Sequence, residues 1–253
     1  MTLSPAFKMA IRPFGDSALL VDVDAGSPDA SSDIVMALNA QLSRQHIRGV
    51  TQTTPSYNSL LVCFEPEQVQ HSALQSEIHA IADTINVKDI PKGNQWSLPA
   101  CFDAPYALDR AALETELSQD WQSIVDCFCA TEYRVHAVGF LPGFTYLGNL
   151  PDALQCDRLR DPRATVPTSS IAIAGTQAGI YPFYSPGGWR IIGRVPFTVF
   201  QTQADPPALF QANDRIRFEA VTPKVFEALE QQPIASVIKQ APRRCSSSSA
   251  PAA

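Results

Sequence analysis

VHAVGFLPGFTYLGNL at residues 135–150 and DPRATVPTSSIAIAGTQAGIYPFYSPGGWRIIGRVPFTVF at residues 161–200 decide how this chain is read. Eight of its 12 glycines fall in these two runs, between prolines and aromatic residues. Proline fixes φ and removes a donor, whereas glycine allows positive φ and close backbone approach. Alternating the two with rigid aromatic surfaces gives up regular helix and strand for a surface shaped by turns. Such a segment either walls a concave site or turns the corners of a barrel. SIAIAG, GIYPFY, WRIIGR, FTVFQ and RIRFEAV are short β-prone runs separated by turn signals, the texture of a barrel or sandwich.

Upstream the texture differs. ALLVDV at residues 18–23 follows a Gly15-Asp16 turn and predicts a strand. Ser27 to Ser32 reads as a polar linker, and the spacing of Ile34, Val35, Leu38 and Leu42 predicts a helix over 33–45. Two strands are expected around a turn at Pro55 to Asn58, the second being SLLVCF. Leu74, Ile78, Ile81 and Ile85 place a second helix over 72–85. This order describes a small α+β sandwich. NVKDIPKGNQ, residues 86–95, is the linker. Beyond it come a strand over 96–102, helices over 109–117 and 121–129, and a strand over 133–140. A last helix is expected over 225–239, and the tail APRRCSSSSAPAA is expected to be disordered. The expected division is 1–90, 91–222 and 223–253.

Composition excludes some function classes. A formal charge of −6 argues against general nucleic-acid binding, which needs clustered cations. No apolar run approaches a membrane span, and MTLSPAFKMAIRPFG lacks the apolar core of a secretory leader, so cytoplasmic residence is expected. The six cysteines form no CxxC pair and the four histidines no HxxxH, so no metal site is expected. There is no P-loop and no Rossmann fingerprint.

What remains is a set of polar groups within the turn-rich core. Arg160, Arg163 and Arg194 are candidates to hold a carboxylate or phosphate, or are structural ion pairs. Gln177 could read an amide by paired donor and acceptor, or satisfy a turn. His136 alternates with apolar residues in a strand. Tyr146, Tyr181 and Trp189 either line a pocket or pack a corner. Ser185 to Trp189 is a tight turn whose N–H groups could form an anion nest.

The motifs GFLPGFTYL (Gly139 to Leu147), PRATVP (Pro162 to Pro167), AGTQAGIYP (Ala174 to Pro182) and SPGGWRIIGR (Ser185 to Arg194) resemble the family of 5-oxoprolinase B subunits. That family is also described as allophanate hydrolase subunit 1, or KipI-like. FGDSALLV, PSYNSLLVCFEP and DPPALFQANDRIRF extend the resemblance over about residues 11–221. Its signature positions here are Gly139, Phe140, Pro142, Gly143, Phe144, Tyr146, Pro186, Gly187 and Gly188.

The resemblance implies an α+β N-terminal domain followed by a cyclophilin-like β-barrel. It implies one part of a hydrolase complex, inactive without two partners of the same 5-oxoprolinase, its C subunit (a carboxyltransferase-domain protein) plus its A subunit. The implied reaction opens 5-oxoproline to L-glutamate with ATP as co-substrate of the complex and no prosthetic group on this chain. Arg163, Gln177, Arg194, Tyr181, Trp189 and His136 are the substrate-binding candidates. A KipI-like inhibitor of a sensor histidine kinase, or a part of an allophanate- or urea-processing system, are the alternatives. Three departures stand out. DAPYALD (residues 103–109) replaces a glycine-rich turn, Phe128 takes the place of a histidine, and Ser169 replaces the glycine of VPAGS.

Overall fold

The computed structural model describes residues 7–86, 90 and 92–241. Chain contacts divide it into two compact units. The first gathers 1–91 with 135–148 and 200–213, and the second holds 92–134, 149–199 and 214–253. The elements are mixed α and β. The expected disordered tail from its second residue, Pro242, onward, and most of the expected linker's central residues, lie outside the described residues; Ala241, the first residue of that tail, ends a strand.

In the first unit, β1 (Lys8–Pro13), β2 (Ala18–Asp24), β3 (Val50–Ser56) and β4 (Ser59–Phe64) make an antiparallel sheet in the order β1-β2-β4-β3. Alternation sets its inner face. Leu19, Val21 and Val23 of β2, with Leu60, Val62 and Phe64 of β4, are buried at every second position. Helices α1 (Pro28–Gln45) and α2 (His71–Ala82) supply Ile34, Val35, Leu38, Leu42, Leu74, Ile78 and Ile81 to the same core. Helix α1 starts earlier than the apolar spacing predicts. Ser27 caps it by accepting from the Ala30 amide at 3.2 Å, Pro28 stands at its first turn, and Asp29 favours the positive end of the helix dipole. The polar run read as a linker is therefore the helix's first turn. Strand β1, at the sheet edge, lacked a sequence signal because its burial is only partial. The turn between β3 and β4 shrinks to Tyr57 and Asn58, with Pro55 inside the edge strand β3.

In the second unit come β5 (Gln95–Ala100), α3 (Arg110–Leu117) and α4 (Trp121–Ala130), then the start of β6 (Tyr133–Val138). The chain continues through β7 (Thr145–Gly148) in the first unit to β8 (Arg163–Val166), β9 (Ser170–Ala174), β10 (Gln177–Ile180), β11 (Ser185–Gly187) and β12 (Arg190–Arg194). It closes with β13 (Arg215–Ala220), α5 (Pro223–Glu230), α6 (Ile234–Val237) and β14 (Lys239–Ala241). β9 pairs antiparallel with both β10 and β12. β5 lies between parallel β13 and antiparallel β14. β8 and β11 form a separate two-stranded ribbon.

Helix α4 packs on β13 through an aromatic cluster. Phe128 contacts Phe102, Tyr133 and Phe218 at ring separations of 5.7, 4.8 and 5.2 Å, and its carbonyl accepts the Tyr133 hydroxyl at 3.1 Å. The ring standing where the resemblance expects a histidine is thus core.

Three expected elements differ. The helix expected over 225–239 is split into α5, α6 and β14, because Pro233 has no amide to donate and its ring blocks helix continuation. GIYPFY ends as a strand at Ile180, one residue before the pair Tyr181-Pro182. FTVFQ is not a strand; only Phe200 makes an isolated bridge, to Ala208.

Candidate functional site

The predicted site residues fall in both units, and each group has its own setting. In the first unit, residues 141–144 form a tight turn in which the Phe144 amide donates to the Leu141 carbonyl at 2.9 Å. Pro142 precedes Gly143 at φ 84°, the residue pair that a type II turn demands. A Cβ on Gly143 would stand 2.6 Å from the Phe200 Cβ, so only glycine fits. Phe144 packs edge-on to Tyr146 at 4.7 Å and to Phe140 at 5.9 Å. Phe140 itself sits at φ 68° and is 74% exposed.

His136 is buried in this unit. Its imidazole stacks on Tyr57 at 4.9 Å and 13°, and its Nε2 lies 3.9 Å from the half-exposed carboxylate of Asp29. A side chain on Gly148 would collide with that ring. His136 is therefore a packed histidine with an acidic neighbour, and Gly148 is the floor it rests on.

The three arginine candidates, all in the second unit, have three different settings. Arg160 is exposed. Arg194 donates from Nε to the Thr168 carbonyl at 2.8 Å, holds its guanidinium 5.9 Å from the Tyr106 ring, and reaches within 3.8 Å of Glu230. Burial, and then Glu230, hold the Tyr106 hydroxyl above its usual pKa, with Arg194 opposing. Arg163 donates from Nη2 to Asp109 Oδ1 at 2.6 Å, and the other carboxylate oxygen of Asp109 accepts the Ile191 amide at 2.6 Å.

Asp109 was not a sequence candidate. An aspartate before a helix suggests a cap, yet its side chain makes no capping bond to α3 and is only 5% exposed. Its desolvation is offset by two short charge-assisted bonds. No sequence signal could have found this pair, because its members are 54 residues apart. Arg190 was likewise missed: it pairs with Glu116 at 2.8 Å, and Glu116 also accepts the Asp157 amide at 3.0 Å. Burial, and then Glu116, push the neighbouring Cys156 thiol up to about 12.

Two polar atoms on the β8–β11 ribbon are sealed from solvent without a hydrogen-bond partner among the described residues: Arg163 Nη1 and Ser185 Oγ. Leaving a buried hydroxyl unpaired costs about 1–3 kcal/mol, and a charged donor costs more. Close by, a side chain on Gly187 would collide with the hydroxyl of buried Tyr181. Trp189 is buried with the Arg158 guanidinium 5.9 Å from its ring, while Pro186 is exposed and the Gly188 carbonyl accepts the Leu159 amide at 2.7 Å. Gln177 opens β10 beside the hairpin turn. Tyr181 follows the opposite end of that strand, about 13 Å away at strand rise, so the structure does not bring these two together.

Ser169 explains one departure. It adopts φ 65°, the region in which glycine is at ease, and is buried. Its hydroxyl donates to the Phe197 carbonyl at 2.6 Å and its amide to the Tyr181 carbonyl at 2.8 Å. The hydroxyl bond offsets the strain that a glycine would avoid.

Among the described residues no group of three or more His, Cys, Asp or Glu side chains could hold a metal ion, and no helix is long and apolar enough to cross a membrane. The chain is similar to the 5-oxoprolinase B subunit of Bacillus subtilis, at 27% identity over 234 residues that cover 88% of this chain and 97% of that protein. It superposes on the crystal structure of TTHA0988 with a TM-score of 0.69 and 27% identity, over 85% of this chain; it spans about two fifths (41%) of the length of TTHA0988. The urea amidolyase of K. lactis shares the fold at a TM-score of 0.73 and 17% identity, over 94% of this chain and 16% of that one. Residues 9–210, which carry both Pro-Gly loops and the ribbon, match as a block, and the chain belongs to the family of the carboxyltransferase domain, subdomain C and D.

Proposed function

We propose that this chain is the B subunit of an ATP-dependent 5-oxoprolinase, a hydrolase complex that opens 5-oxo-L-proline to L-glutamate as ATP becomes ADP and phosphate. The observation that carries the reading is similarity over 97% of the length of a protein named as the B subunit of 5-oxoprolinase. The chemistry of the second unit supports it. A lactam is a poor electrophile, so its oxygen must be activated before water can open the ring, and the substrate's carboxylate must be held meanwhile. Arg163, fixed by Asp109, is suited to holding it. Gln177, Arg194, Tyr181, Trp189 and His136 stand as further candidates, in the settings already described. The proposed layout is an α+β N-terminal domain and a cyclophilin-like barrel, working in the cytoplasm beside the A and C subunits of the complex.

The test is reconstitution with candidate A and C subunits, reading ATP-dependent glutamate release from 5-oxo-L-proline. Release is expected only when this chain is present. Full release without it, or none with all three chains folded and mixed, overturns the reading.

A further inference from the structure

The loop between β6 and β7 holds an aromatic residue out into solvent on a locked turn. The Gly139 amide donates to the Phe144 carbonyl at 3.0 Å, and the Phe144 amide donates to the Leu141 carbonyl at 2.9 Å. The Thr145 hydroxyl donates to the Gly143 carbonyl at 3.2 Å. Gly143 is pressed against Phe200, and Pro142 has a fixed φ. The turn is thus tied at both ends, and its tip is Phe140, Leu141 and Pro142. Phe140 and Pro142 are exposed and Leu141 is half-buried.

Phe140 carries two local penalties. Its φ of 68° is unfavourable for a bulky side chain, and glycine or asparagine would take the same backbone with less strain. Its apolar surface stays mostly in water, since its contact with Phe144 is edge-on, at 5.9 Å and 88°. Phe144 is the ring that anchors the turn, at 2% exposure. A lone exposed apolar residue is ordinary, but a strained one on a fixed turn points to a use outside the local fold. Its surroundings are uncharged: Val135 to Pro151 contain no Asp, Glu, Lys or Arg. A rigid, uncharged aromatic tip has the make-up of the core of a protein interface, and little entropy is lost when it docks.

We propose that Phe140 anchors a docking surface for the C subunit of the complex, seating its ring in an uncharged, apolar pocket of that partner. The identity of the partner rests on the proposed function; the docking role of the tip does not. In TTHA0988 the fold shared with this chain occupies 41% of a longer polypeptide, so further protein is covalently joined to it there. A second copy of this chain is the poorer occupant, because it would have to offer an apolar pocket in return. The cavity of about 260 Å³ at the end of α1 is lined mostly by polar side chains, Ser43, His46, Thr51, Gln52 and Thr53 among them.

The experiment is calorimetric titration of the full-length chain with the candidate C subunit, at about 0.1 M and about 1 M NaCl. Phe140→Asn keeps the left-handed turn and is expected to weaken the complex roughly tenfold or more, while the Tm of the isolated chain holds or rises. Phe14, 58% exposed between β1 and β2 of the same unit, is the control, and Phe14→Ser is expected to leave the affinity unchanged. Wild-type affinity is expected to stay within about threefold between the two salt concentrations. A fall of roughly tenfold would show that charged groups hold the two chains, and overturns the apolar seat. A wild-type chain that does not bind the C subunit, or equal weakening by Phe14→Ser, overturns the docking surface. A Tm lowered by Phe140→Asn would mean that the ring serves its own turn, and overturns it too. A wild-type dimer that Phe140→Asn makes monomeric in sedimentation would give the ring to a second copy instead. Turnover separates this reading from the proposed function. Glutamate release that requires the chain, with Kd unchanged by Phe140→Asn, removes the docking role and leaves the function standing. A complex that Phe140→Asn breaks, with no glutamate released by the wild type, removes the function and leaves the docking role.

Discussion

The turn at residues 141–144 and the ribbon at residues 185–188 are written in the same letters, LPGF and SPGG, and put their glycines to opposite use. At Gly143 the approaching group is the Phe200 side chain, 2.6 Å from where a Cβ would be, and the neighbours are aromatic rings. At Gly187 the approaching group is the Tyr181 hydroxyl, and the neighbours are a half-tethered guanidinium and a buried serine. A Pro-Gly signature marks where the backbone must be approached closely. Whether that place packs or does chemistry depends on what does the approaching, and on whether its polar atoms are already spent.

The sharpest way to break this contrast is Asp109→Ala. It strands the Arg163 guanidinium and the buried Ile191 amide, and should cost about 3 kcal/mol in urea unfolding, at the low end for a broken buried pair because Arg163 is partly exposed. A loss below about 1 kcal/mol would mean that Arg163 is not held there by Asp109. Gly143→Ala tests the packing side. Its Cβ meets Phe200 in a left-handed conformation, and about 2 kcal/mol should be lost with no change in carboxylate binding. The smallest effect separates two variants at Ser169. Ser169→Ala keeps the strain and loses the bond to Phe197, costing about 1–2 kcal/mol, whereas Ser169→Gly loses both and should stay within about 1 kcal/mol of the wild type. Equal losses in the two variants would show that strain at φ 65° carries no weight.

The elements legible in the sequence were those whose burial alternates cleanly. SLLVCF is strand β4 from its first residue to its last, and Trp121 begins α4 as its apolar spacing predicts. Where polar residues make a helix turn, as at Ser27 to Ser32, periodicity is blind and only the Ser27-Pro28 cap signals the start. Pro233 was visible, and it should have divided the last helix. The site was legible by type and not by partner. Arg163 was a candidate from its chemistry, but Asp109 meets it only through tertiary pairing, and no local spacing encodes that. His136 shows the reverse case, a residue with the right chemistry that the fold buries against Tyr57 and the backbone of Gly148.

The order β1-β2-β4-β3 leaves two rims to the first unit's sheet. An unpaired rim is a template on which another chain can add a strand, and fibres grow that way. Both rims here carry deterrents. β1 offers Lys8, Arg12 and Pro13, and β3 carries Pro55 within its length. A proline in an edge strand turns its missing N–H outward, and lysine or arginine resists burial against a second copy. The residue that misplaced the hairpin turn in the sequence thus serves as a guard against self-association. Replacing Pro55 with valine would leave the hairpin intact while exposing a longer flat edge to its neighbours in a concentrated solution.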